Sequence, residues 1–296
     1  MDPTFLIGQV FNGLSVGSIY ILAALGLALS FGLMRVINMA HGEIVMFGGY
    51  VAYLTILVVP GPLGILAAML AAAVVGGVLG GLLEVTVISR LADRPLDTLL
   101  ATWGVSLIFQ QASRDIFGAT GVSVTAPAWL SGAVEIGSFS LPVARLFIML
   151  VAACALGGLA VLLKTSRIGL LVRAANQDRA TASAMGVSVR RVDMFVFALG
   201  SGVAGVAGVV LALLGPVTPT VGQSYITTAF LVVILGGLGS IAGTTIAAIL
   251  IGLVSAMAQV FVDVNFAQVV TLVFVIIFLQ FRPQGVIAVR SRALDD

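Results

Sequence analysis

The sequence predicts an all-α membrane protein: a polytopic bundle of eight or nine transmembrane helices, formed by one domain over residues 1–296. Sixty per cent of the 296 residues are hydrophobic and only 9% are charged, whereas soluble domains carry roughly 25% charged residues. Apolar runs recur along the whole chain, and about 18 such residues cross a bilayer core as a helix. The alternating ten-residue pattern of a membrane β-barrel is absent, so the backbone groups in lipid are expected to pair within helices.

Nine apolar segments qualify as helices, and their boundaries are fixed by pattern only to within a few residues. They are Phe5 to Leu33, Ile44 to Val59, Leu63 to Ile88, Leu99 to Phe117, Val143 to Leu163, Val192 to Leu214, Tyr225 to Leu238, Ile241 to Val262 and Phe266 to Phe281. The segment from Tyr225 is short enough to be re-entrant, which leaves eight or nine spans. No Lys or Arg precedes Arg35, so the first segment is interpreted as a retained span and not as a signal peptide.

The positions of the basic residues predict the orientation of the chain, because cytoplasmic loops carry the excess of Lys and Arg. Residues 164–191 are therefore predicted to be a cytoplasmic loop and residues 282–296 a cytoplasmic tail. Residues 118–142 are weakly charged and rich in turn residues, which predicts a short ordered periplasmic excursion. Nine crossings place the N-terminus outside. The loop with Arg90 and Arg94 is also predicted to be cytoplasmic. The basic residues that set this orientation are Arg90 and Arg94, then Lys164, Arg167, Arg173, Arg179, Arg190 and Arg191, and finally Arg282, Arg290 and Arg292.

Composition also restricts the chemistry. A formal net charge of +2 is too small to indicate a nucleic-acid partner. Cys154 is the only cysteine and lies in an apolar run, which excludes a disulfide framework and predicts a buried small hydrophobe. His41 is the only histidine, which argues against zinc and Ser-His-Asp sites. No metal site is predicted, and an intramembrane enzyme that uses His41 and Glu43 as acid and base is the weaker alternative.

Glycines are spaced for close contact between helices. Small residues let transmembrane backbones approach each other, so these positions are interpreted as bundle packing, with a face toward another subunit as the alternative. They are Gly76, Gly77, Gly80 and Gly81, followed by Gly202, Gly205 and Gly208. Two polar or glycine-rich joints, Asn38 to Glu43 and Gly236 to Gly243, interrupt the apolar pattern, and such breaks can mark a substrate path in transporters.

The first joint carries polar side chains between two apolar runs. One interpretation places Asn38, His41 and Glu43 in a translocation path or its cytoplasmic gate, since ionisable groups near membrane depth usually face a cavity or a partner. The other is an interfacial loop in which Asn38 caps the next helix and Glu43 interacts with its dipole. Both remain open at this stage.

Two further polar segments allow two interpretations each. In residues 164–191 a short helix is predicted from Gln177 to Met185, with Gly186 as its stop. This helix could dock a soluble partner or be a solvated surface. At the start of a later span, the residues GQSY from Gly222 to Tyr225 form either an interface anchor or a polar pore entrance.

The segment GLSVGSIYILAALGLALSFGLMRVINMAHGE, from Gly13 to Glu43, resembles the N-terminal region of permeases of the branched-chain amino acid and urea ABC importer family, the LivH-like group. The Arg94 to Gln111 segment looks closer to urea-type than to leucine-type permeases. The likeness covers nearly the full chain and continues through RPLDTLLATWGVSLIFQQ (Arg94 to Gln111), RIGLLVRAANQDRATASAMGV (Arg167 to Val187), GQSYI (Gly222 to Ile226), LGGLGSIAGT (Leu235 to Thr244) and FRPQG (Phe281 to Gly285).

The resemblance implies a permease of the bacterial inner membrane that works with a second permease, usually a paralogue, two cytoplasmic ATPase subunits and a periplasmic solute-binding protein. No G-x-x-x-x-G-K-[ST] phosphate loop is present, so ATP and Mg²⁺ are expected on the ATPase and no cofactor in this chain. Transport would follow from alternating access, in which ATP binding favours one of two states of the bundle. The cargo would be urea, a short amide or a branched-chain amino acid.

The resemblance also implies two sets of functional residues. The residues 167–187 would form a coupling helix in a groove of the ATPase, and the polar joint would belong to the path. The expected coupling residues are Arg167, Gly169, Arg173, Ala174, Asp178, Arg179, Ala184 and Gly186. The expected path residues are Asn38, His41, Glu43, Ser15, Thr102, Trp103, Gln110 and Gln223.

A secondary transporter or channel is the closest rival, since its composition would look the same. Ion-coupled carriers usually need carboxylates inside the membrane. Here four carboxylates fall at the ends of predicted spans, which argues against a carrier. They are Glu43, Glu84, Asp97 and Asp115.

Overall fold

A computed structural model describes residues 3–34, 36–91, 94–136 and 139–287. Most of this part of the chain is helical, which confirms the all-α prediction. A π-helical turn (Glu84–Ile88) joins α3 to α4, and one hairpin of β1 and β2 interrupts the helical pattern. The elements are α1 (Pro3–Met34), α2 (His41–Val58), α3 (Pro62–Leu83), α4 (Ser89–Leu91), α5 (Pro95–Phe117), β1 (Ala133–Ile136), β2 (Phe139–Pro142), α6 (Val143–Thr165), α7 (Arg167–Gln177), α8 (Arg179–Ala184), α9 (Val189–Ala212), α10 (Val221–Gly236), α11 (Ile241–Ala258) and α12 (Val264–Phe281).

Seven helical stretches in the described residues are long and apolar enough to cross a membrane: α1, α2, Pro62–Leu91, α6, α9, α11 and α12. Two further helices complete the match to the nine predicted segments. Helix α10 is apolar but has only 16 residues, and α5 has 23 residues but a more polar sequence. The predicted count of nine spans includes both of these helices, and the predicted count of eight leaves out α10.

Helix α9 occupies the centre of the bundle and packs against α1, α2 and α3. Its residues Gly202 and Gly205 contact α3, and Gly208 contacts α2. A methyl group on Gly205 would lie 2.2 Å from the carbonyl oxygen of Ala72, and one on Gly76 would lie 2.5 Å from that of Ser201. These distances confirm that the spaced glycines pack helices within the bundle, where small residues allow backbones to approach closely.

The prediction for Cys154 is wrong, because its side chain is exposed on α6. This helix buries a face that includes Ile148, Val151 and Leu159, and Cys154 points away from that face. An apolar sequence does not reveal which side of a membrane helix packs on the bundle, since the side that faces lipid is equally apolar.

The connecting segments contain local structure of their own. Strands β1 and β2 pair as an antiparallel hairpin inside residues 118–142, and Val122 bridges to Val217 between α9 and α10. The single 23-residue helix α6 places this hairpin and α7 at opposite ends of the bundle.

The predicted helix from Gln177 to Met185 is present as α8 (Arg179–Ala184). Helix α8 covers the predicted centre, and Gly186 follows it with a φ of 86°, as expected for a helix stop. The preceding helix α7 was not predicted. Its start signal is Ser166, whose hydroxyl accepts a hydrogen bond from the N–H of Gly169 (3.0 Å). Arg35, Arg290 and Arg292 lie outside the described residues, so the tail 282–296 is described only as far as residue 287.

Candidate translocation site

Helix α2 begins deep inside the bundle. The Nε2–H of His41, its first residue, donates to the carbonyl oxygen of Ala23 on α1 (3.0 Å). Ala23 lies eleven residues before the end of α1 at Met34, a distance of about 16 Å along a helix axis. The residues 36–40 therefore run back alongside α1, and Asn38 among them is only 1% exposed. The polar joint is not an interfacial loop.

Glu43 is the centre of a buried polar cluster. Its Oε1 accepts hydrogen bonds from the hydroxyl of Ser106 (2.6 Å) and from Nε2 of Gln110 (2.8 Å). Gln110 also donates to the Ser106 hydroxyl (3.2 Å). The other carboxylate oxygen, Oε2, is buried and has no hydrogen-bond partner among the described residues. A buried acceptor without a partner costs about 1–3 kcal/mol, so Oε2 is available to a water, a proton or a ligand.

The polarity of α5 is reversed relative to a soluble helix. Its buried residues are all polar and recur every three or four positions, which places them on one face of the helix. They are Thr98, Thr102, Ser106, Gln110 and Ser113. The opposite face is apolar and exposed, for example at Leu100 and Ile108. A helix that turns apolar residues outward and polar residues toward a buried carboxylate suits lipid on one side and a polar interior on the other.

The joint before α2 is held by backbone contacts with polar side chains. The Oδ1 atom of Asn38 accepts from the N–H of Ala40 (3.0 Å), and the hydroxyl of Thr102 accepts from the N–H of Met39 (3.1 Å). Asn38 is thus part of a tight turn and is not the N-cap, which is Ala40. Its Nδ2 is buried without a partner among the described residues.

The structure brings together five of the eight expected path residues: Asn38, His41, Glu43, Thr102 and Gln110. The other three lie apart from them. Trp103 is 46% exposed on the apolar side of α5, and Gln223 is exposed on α10. Ser15 is buried on α1, eight residues from Ala23, which is about 12 Å along the helix.

Ser106 is the cluster residue that the sequence analysis missed. A signal for it existed in the sequence, because Thr98, Thr102, Ser106 and Gln110 recur every fourth position in a predicted span. This spacing places them on the same face of a helix.

Two carboxylates contradict the argument made against an ion-coupled carrier. Glu43 lies inside the bundle, and Glu84 lies in the π-helical turn within the Pro62–Leu91 stretch. Each is 1% exposed. Their positions at the ends of predicted segments did not reveal this burial, since α2 starts far from the end of α1. The choice between carrier and importer therefore depends on other observations.

Helices α7 and α8 are anchored to the bundle by several of the expected coupling residues. Arg173 donates to the carbonyl oxygen of Leu163, at the end of α6. Arg179 binds both carboxylate oxygens of Asp193 on α9 and donates to the carbonyl oxygen of Leu33 (3.1 Å). These two arginines therefore make their contacts within the chain.

Two more coupling residues shape the segment. Gly169 packs on Leu163, whose carbonyl oxygen would lie 2.1 Å from a methyl group there. Asp178 caps α8, since Oδ1 accepts from the N–H groups of Ala180 (2.9 Å) and Thr181 (3.0 Å). Hydrogen bonds from the hydroxyl and N–H of Thr181 lower the pKa of the Asp178 carboxyl.

The outer surface of α7 and α8 carries large apolar side chains. Met185 is 81% exposed and Leu170 is 60% exposed, while Arg167, Ala184 and Gly186 are also exposed and Ala174 is half-buried. Exposed apolar residues on a segment that is otherwise polar are typical of a protein interface. Met185 is a second residue that the sequence analysis did not single out.

Comparison with known proteins gives one consistent result. Residues 9–279 match the family model described as the branched-chain amino acid transport system permease component. The chain is 30% identical over 295 residues to the high-affinity branched-chain amino acid transport system permease protein LivH of Salmonella typhimurium, with 96% of each chain covered. It is 32% identical over 296 residues to the corresponding permease protein BraD of Pseudomonas aeruginosa, with 94% of each chain covered.

A more distant relative is the ribose import permease protein RbsC of Escherichia coli strain K12, which is 25% identical over 275 residues that cover 85% of this chain and 78% of RbsC. No solved structure matches the chain. The names of these relatives do not include urea, so the urea-type likeness of residues 94–111 gains no support from them.

The family consists of transport permeases whose systems carry the ATPase on a separate subunit, which confirms the expectation that this chain is not an enzyme. It also implies a membrane, an ATPase and a solute-binding protein as partners. Because the family model spans most of the chain and the LivH and BraD proteins align with it almost from end to end, this protein belongs to the permease family of the branched-chain amino acid ABC importers.

Proposed function

We propose that this chain forms half of the translocation path of an ATP-driven importer whose cargo is a branched-chain amino acid. The observation that carries the proposal is the meeting of two helix starts inside the bundle. A methyl group on Gly42 of α2 would lie 2.3 Å from the carbonyl oxygen of Gly222 on α10. Helices that begin at the middle of a membrane bundle, with polar groups between them, are typical of transport sites.

The polar cluster supplies the groups that such a path needs. Asn38, His41, Glu43, Thr102 and Gln110 form its wall together with Ser106. The unpartnered Oε2 of Glu43 and Nδ2 of Asn38 would bind water or solute in another state of the cycle. In the proposal, Ser15 lines the path at another depth. Trp103 and Gln223 lie on surfaces that a second permease would cover.

Coupling to ATP hydrolysis is assigned to α7 and α8. Arg167, Ala184, Gly186 and the apolar side chain of Met185 form the exposed surface that would enter a groove of the ATPase. The remaining residues hold the shape of this surface, and they are Gly169, Arg173, Ala174, Asp178 and Arg179. Because Arg179 binds α9 and the end of α1, a movement of α8 would reach the helices next to the Glu43 cluster. Alternating access follows if ATP binding stabilises one of the two arrangements.

The proposed orientation follows from charge. Residues 164–191 and the tail 282–296 are assigned to the cytoplasm, where two ATPase subunits carry ATP and Mg²⁺. Residues 118–142, at the opposite end of α6, are assigned to the periplasmic side of the inner membrane and to the solute-binding protein. The C-terminus is then cytoplasmic. A second permease, a paralogue of this chain, completes the path.

The cargo is proposed from the relatives. LivH and BraD are named for branched-chain amino acid transport. Urea or a short amide is the alternative suggested by the likeness of residues 94–111. A secondary carrier or channel is the alternative mechanism. It stays open because Glu43 and Glu84 are buried, and ion-coupled carriers usually need carboxylates inside the membrane.

The deciding experiment is uptake of labelled leucine and labelled urea by cells that express this chain with its neighbouring transporter genes. We expect leucine uptake that disappears when the ATPase is inactivated by substitution of its catalytic glutamate. Urea uptake with the same dependence would keep the importer and change the cargo. Uptake that persists without ATP hydrolysis would contradict the importer and favour the carrier.

A further inference from the structure

A groove lies between four helices, with a volume of about 310 Å³. It is formed by α10 and α12 on its sides and by α1 and α11 behind them. We call it the α10–α12 groove. Pockets for small ligands usually range from about 300 to 1,000 Å³, so this volume suits a molecule of amino-acid size. The polar residues that the argument uses are Tyr20, Ser224, Thr228, Ser255, Asn265 and Gln268.

The chemistry of the lining is mixed but uncharged. Hydroxyl and amide groups alternate with the aliphatic side chains of Leu231, Val269 and Leu272. No Asp, Glu, Lys or Arg lines the groove among the described residues. A zwitterion can hydrogen-bond its ammonium and carboxylate groups to these hydroxyl and amide groups while its two opposite charges attract each other. A further charge on the solute would lose its hydration there without gaining an opposite charge, and that transfer is costly. A net-neutral solute with polar and aliphatic parts fits this lining.

The exposed polar side chains of the groove differ from the rest of the exposed surface of α12. Further along α12, the exposed residues Val273, Ile276 and Ile277 are apolar, as expected for contact with lipid. Ser224, Asn265 and Gln268 are also exposed. Asn265 and Gln268 are the second and fifth residues of α12, and Ser224 is the fourth residue of α10. The exposed polar groups therefore collect at the two helix starts that border the groove.

The hydroxyls differ in how they are satisfied. Thr271 donates to the carbonyl oxygen of Ala267 in its own helix (2.8 Å), and Thr227 likewise donates to that of Gln223 (3.2 Å). The side chains of Thr228 and Gln268 make no hydrogen bond to other described residues. They are therefore available to a solute.

The groove also lies next to the proposed path. Ser224 is two residues after Gly222, which packs against the Glu43 carboxylate. The first turn of α10 thus separates the groove on one side from the polar cluster on the other. A rearrangement of this turn would join the two spaces.

We propose that the α10–α12 groove binds the transported solute before it reaches the Glu43 cluster, and that it accepts a small net-neutral molecule with polar and aliphatic parts, such as a zwitterionic amino acid with a branched side chain. This inference rests on the transport function proposed above. The groove adds residues of α10 and α12 to the path, and it predicts selection against amino acids with a charged side chain.

The test uses cysteine accessibility in the assembled importer. Because Cys154 is exposed, it is first changed to Ser. Thr228→Cys then reports on the groove, and Ile277→Cys, which is 53% exposed on the same wall helix α12, is the matched control on the lipid side. Vesicles are treated with a charged, membrane-impermeant thiosulfonate, alone, with leucine or with lysine. We expect Thr228→Cys to react at least tenfold faster than Ile277→Cys, and leucine but not lysine to slow it severalfold.

Each result decides the inference. If Thr228→Cys reacts as slowly as Ile277→Cys, or if leucine gives no protection, the groove does not hold the solute. Ser224→Cys, in the same groove, replaces Thr228→Cys if that variant does not assemble. Leucine uptake by the Cys154→Ser importer is measured in the same vesicles with and without ATP. Uptake that needs ATP, combined with an unprotected groove, overturns only this inference, whereas uptake without ATP overturns the proposed function.

Discussion

The carboxylate of Glu43, in the first turn of α2, lies against Gly222, in the first turn of α10. A methyl group on Gly222 would sit 2.4 Å from Oε2 of Glu43 and 2.3 Å from the carbonyl oxygen of Gly42. Both distances are shorter than any ordinary contact of a methyl carbon. The close approach of the two helix starts therefore requires a residue without a side chain at Gly222.

Replacing Gly222 by Ala should destabilise the protein. The added methyl group must displace either the buried carboxylate or the backbone of α2, and overpacking of this kind costs about 1–3 kcal/mol. Thermal unfolding of the detergent-solubilised importer would show the loss, and leucine uptake should fall with it.

Gly104→Ala is the matched control for this change. Gly104 is also in a helix, but nothing lies within 4 Å of a methyl group placed there. Ala is favoured over Gly in a helix by roughly 0.5–1 kcal/mol, so this variant should be equally or more stable. Equal melting temperatures for the two variants would show that the contact between α2 and α10 is looser than described.

Ser106→Ala should destabilise the Glu43 cluster. The substitution removes one of the two donors to Oε1 and leaves the carboxylate less well satisfied, which costs about 1–3 kcal/mol. Ser113→Ala is the control on the same face of α5, because the Ser113 hydroxyl is buried without a partner among the described residues. Unfolding free energies should separate the two variants, and the idea fails if Ser113→Ala is the more damaging.

The pair of Arg179 and Asp193 should contribute more stability than the pair of Arg94 and Asp97. The Asp193 side chain is 8% exposed and that of Arg179 is 47% exposed, compared with 75% for Arg94 and 53% for Asp97. Loss of one partner of a buried pair is strongly destabilising, but the half-exposure of Arg179 reduces this effect. We therefore expect a coupling energy of about 1–3 kcal/mol for this pair. For the exposed pair of Arg94 and Asp97 we expect about 0–1 kcal/mol. A double-mutant cycle with Ala and Asn substitutions measures each value, and similar values would contradict the anchoring role of Arg179.

Helix α8 should loosen at acid pH through Asp178. Its pKa is lowered in the folded chain because the hydroxyl and N–H of Thr181 donate to it. A carboxyl with a lowered pKa stabilises the fold above its unfolded pKa, about 3.9 for Asp, and this stabilisation is lost as the pH falls through the folded-state value. Cleavage by pepsin within residues 167–187 should therefore accelerate as the pH is lowered from about 3.9 through the folded-state pKa of Asp178.

Asp178→Asn separates this titration from the pH dependence of pepsin itself. Asn remains a good helix cap but does not titrate. The ratio of cleavage rates between wild type and Asp178→Asn should rise as the pH falls. A ratio that stays constant would mean that the charge of Asp178 does not hold α8.

Met185→Ala should weaken coupling without destabilising the chain. Met185 is 81% exposed, so little packing within the chain is lost, whereas a contact with the ATPase would lose an apolar side chain. Met194→Ala, at a 41% exposed position on α9, is the control. We expect Met185→Ala to lower leucine uptake severalfold at equal ATPase activity, and Met194→Ala to leave uptake unchanged. Equal uptake by the two variants would show that Met185 is not part of the docking surface.

Most of the fold could be predicted from the sequence, because a long run of apolar residues is a strong signal for a membrane helix. All nine predicted segments correspond to helices, and the spaced glycines pack as expected. The helix stop at Gly186 was also predicted correctly, because glycine readily adopts the positive φ that ends a helix.

The sequence did not predict how deeply the segment before α2 enters the bundle, or which side of a membrane helix packs against its neighbours. The return of residues 36–40 into the bundle is set by tertiary contacts such as that between His41 and Ala23, which leave no periodic signal. The exposure of Cys154 depends on which side of α6 packs. Ser106 could have been found from its spacing, but its partner Glu43 lies 63 positions away in sequence.

The reversed polarity of α5 has a consequence for how the protein is made. A helix whose inner face carries Thr98, Thr102, Ser106, Gln110 and Ser113 partitions poorly into lipid by itself. During synthesis α2 leaves the ribosome before α5, so the Glu43 carboxylate is already in the membrane when the Ser106 and Gln110 side chains arrive. Insertion of α5 is then a cooperative step, completed by capture on α2, and the biogenesis of the permease depends on the same three side chains that form its polar centre.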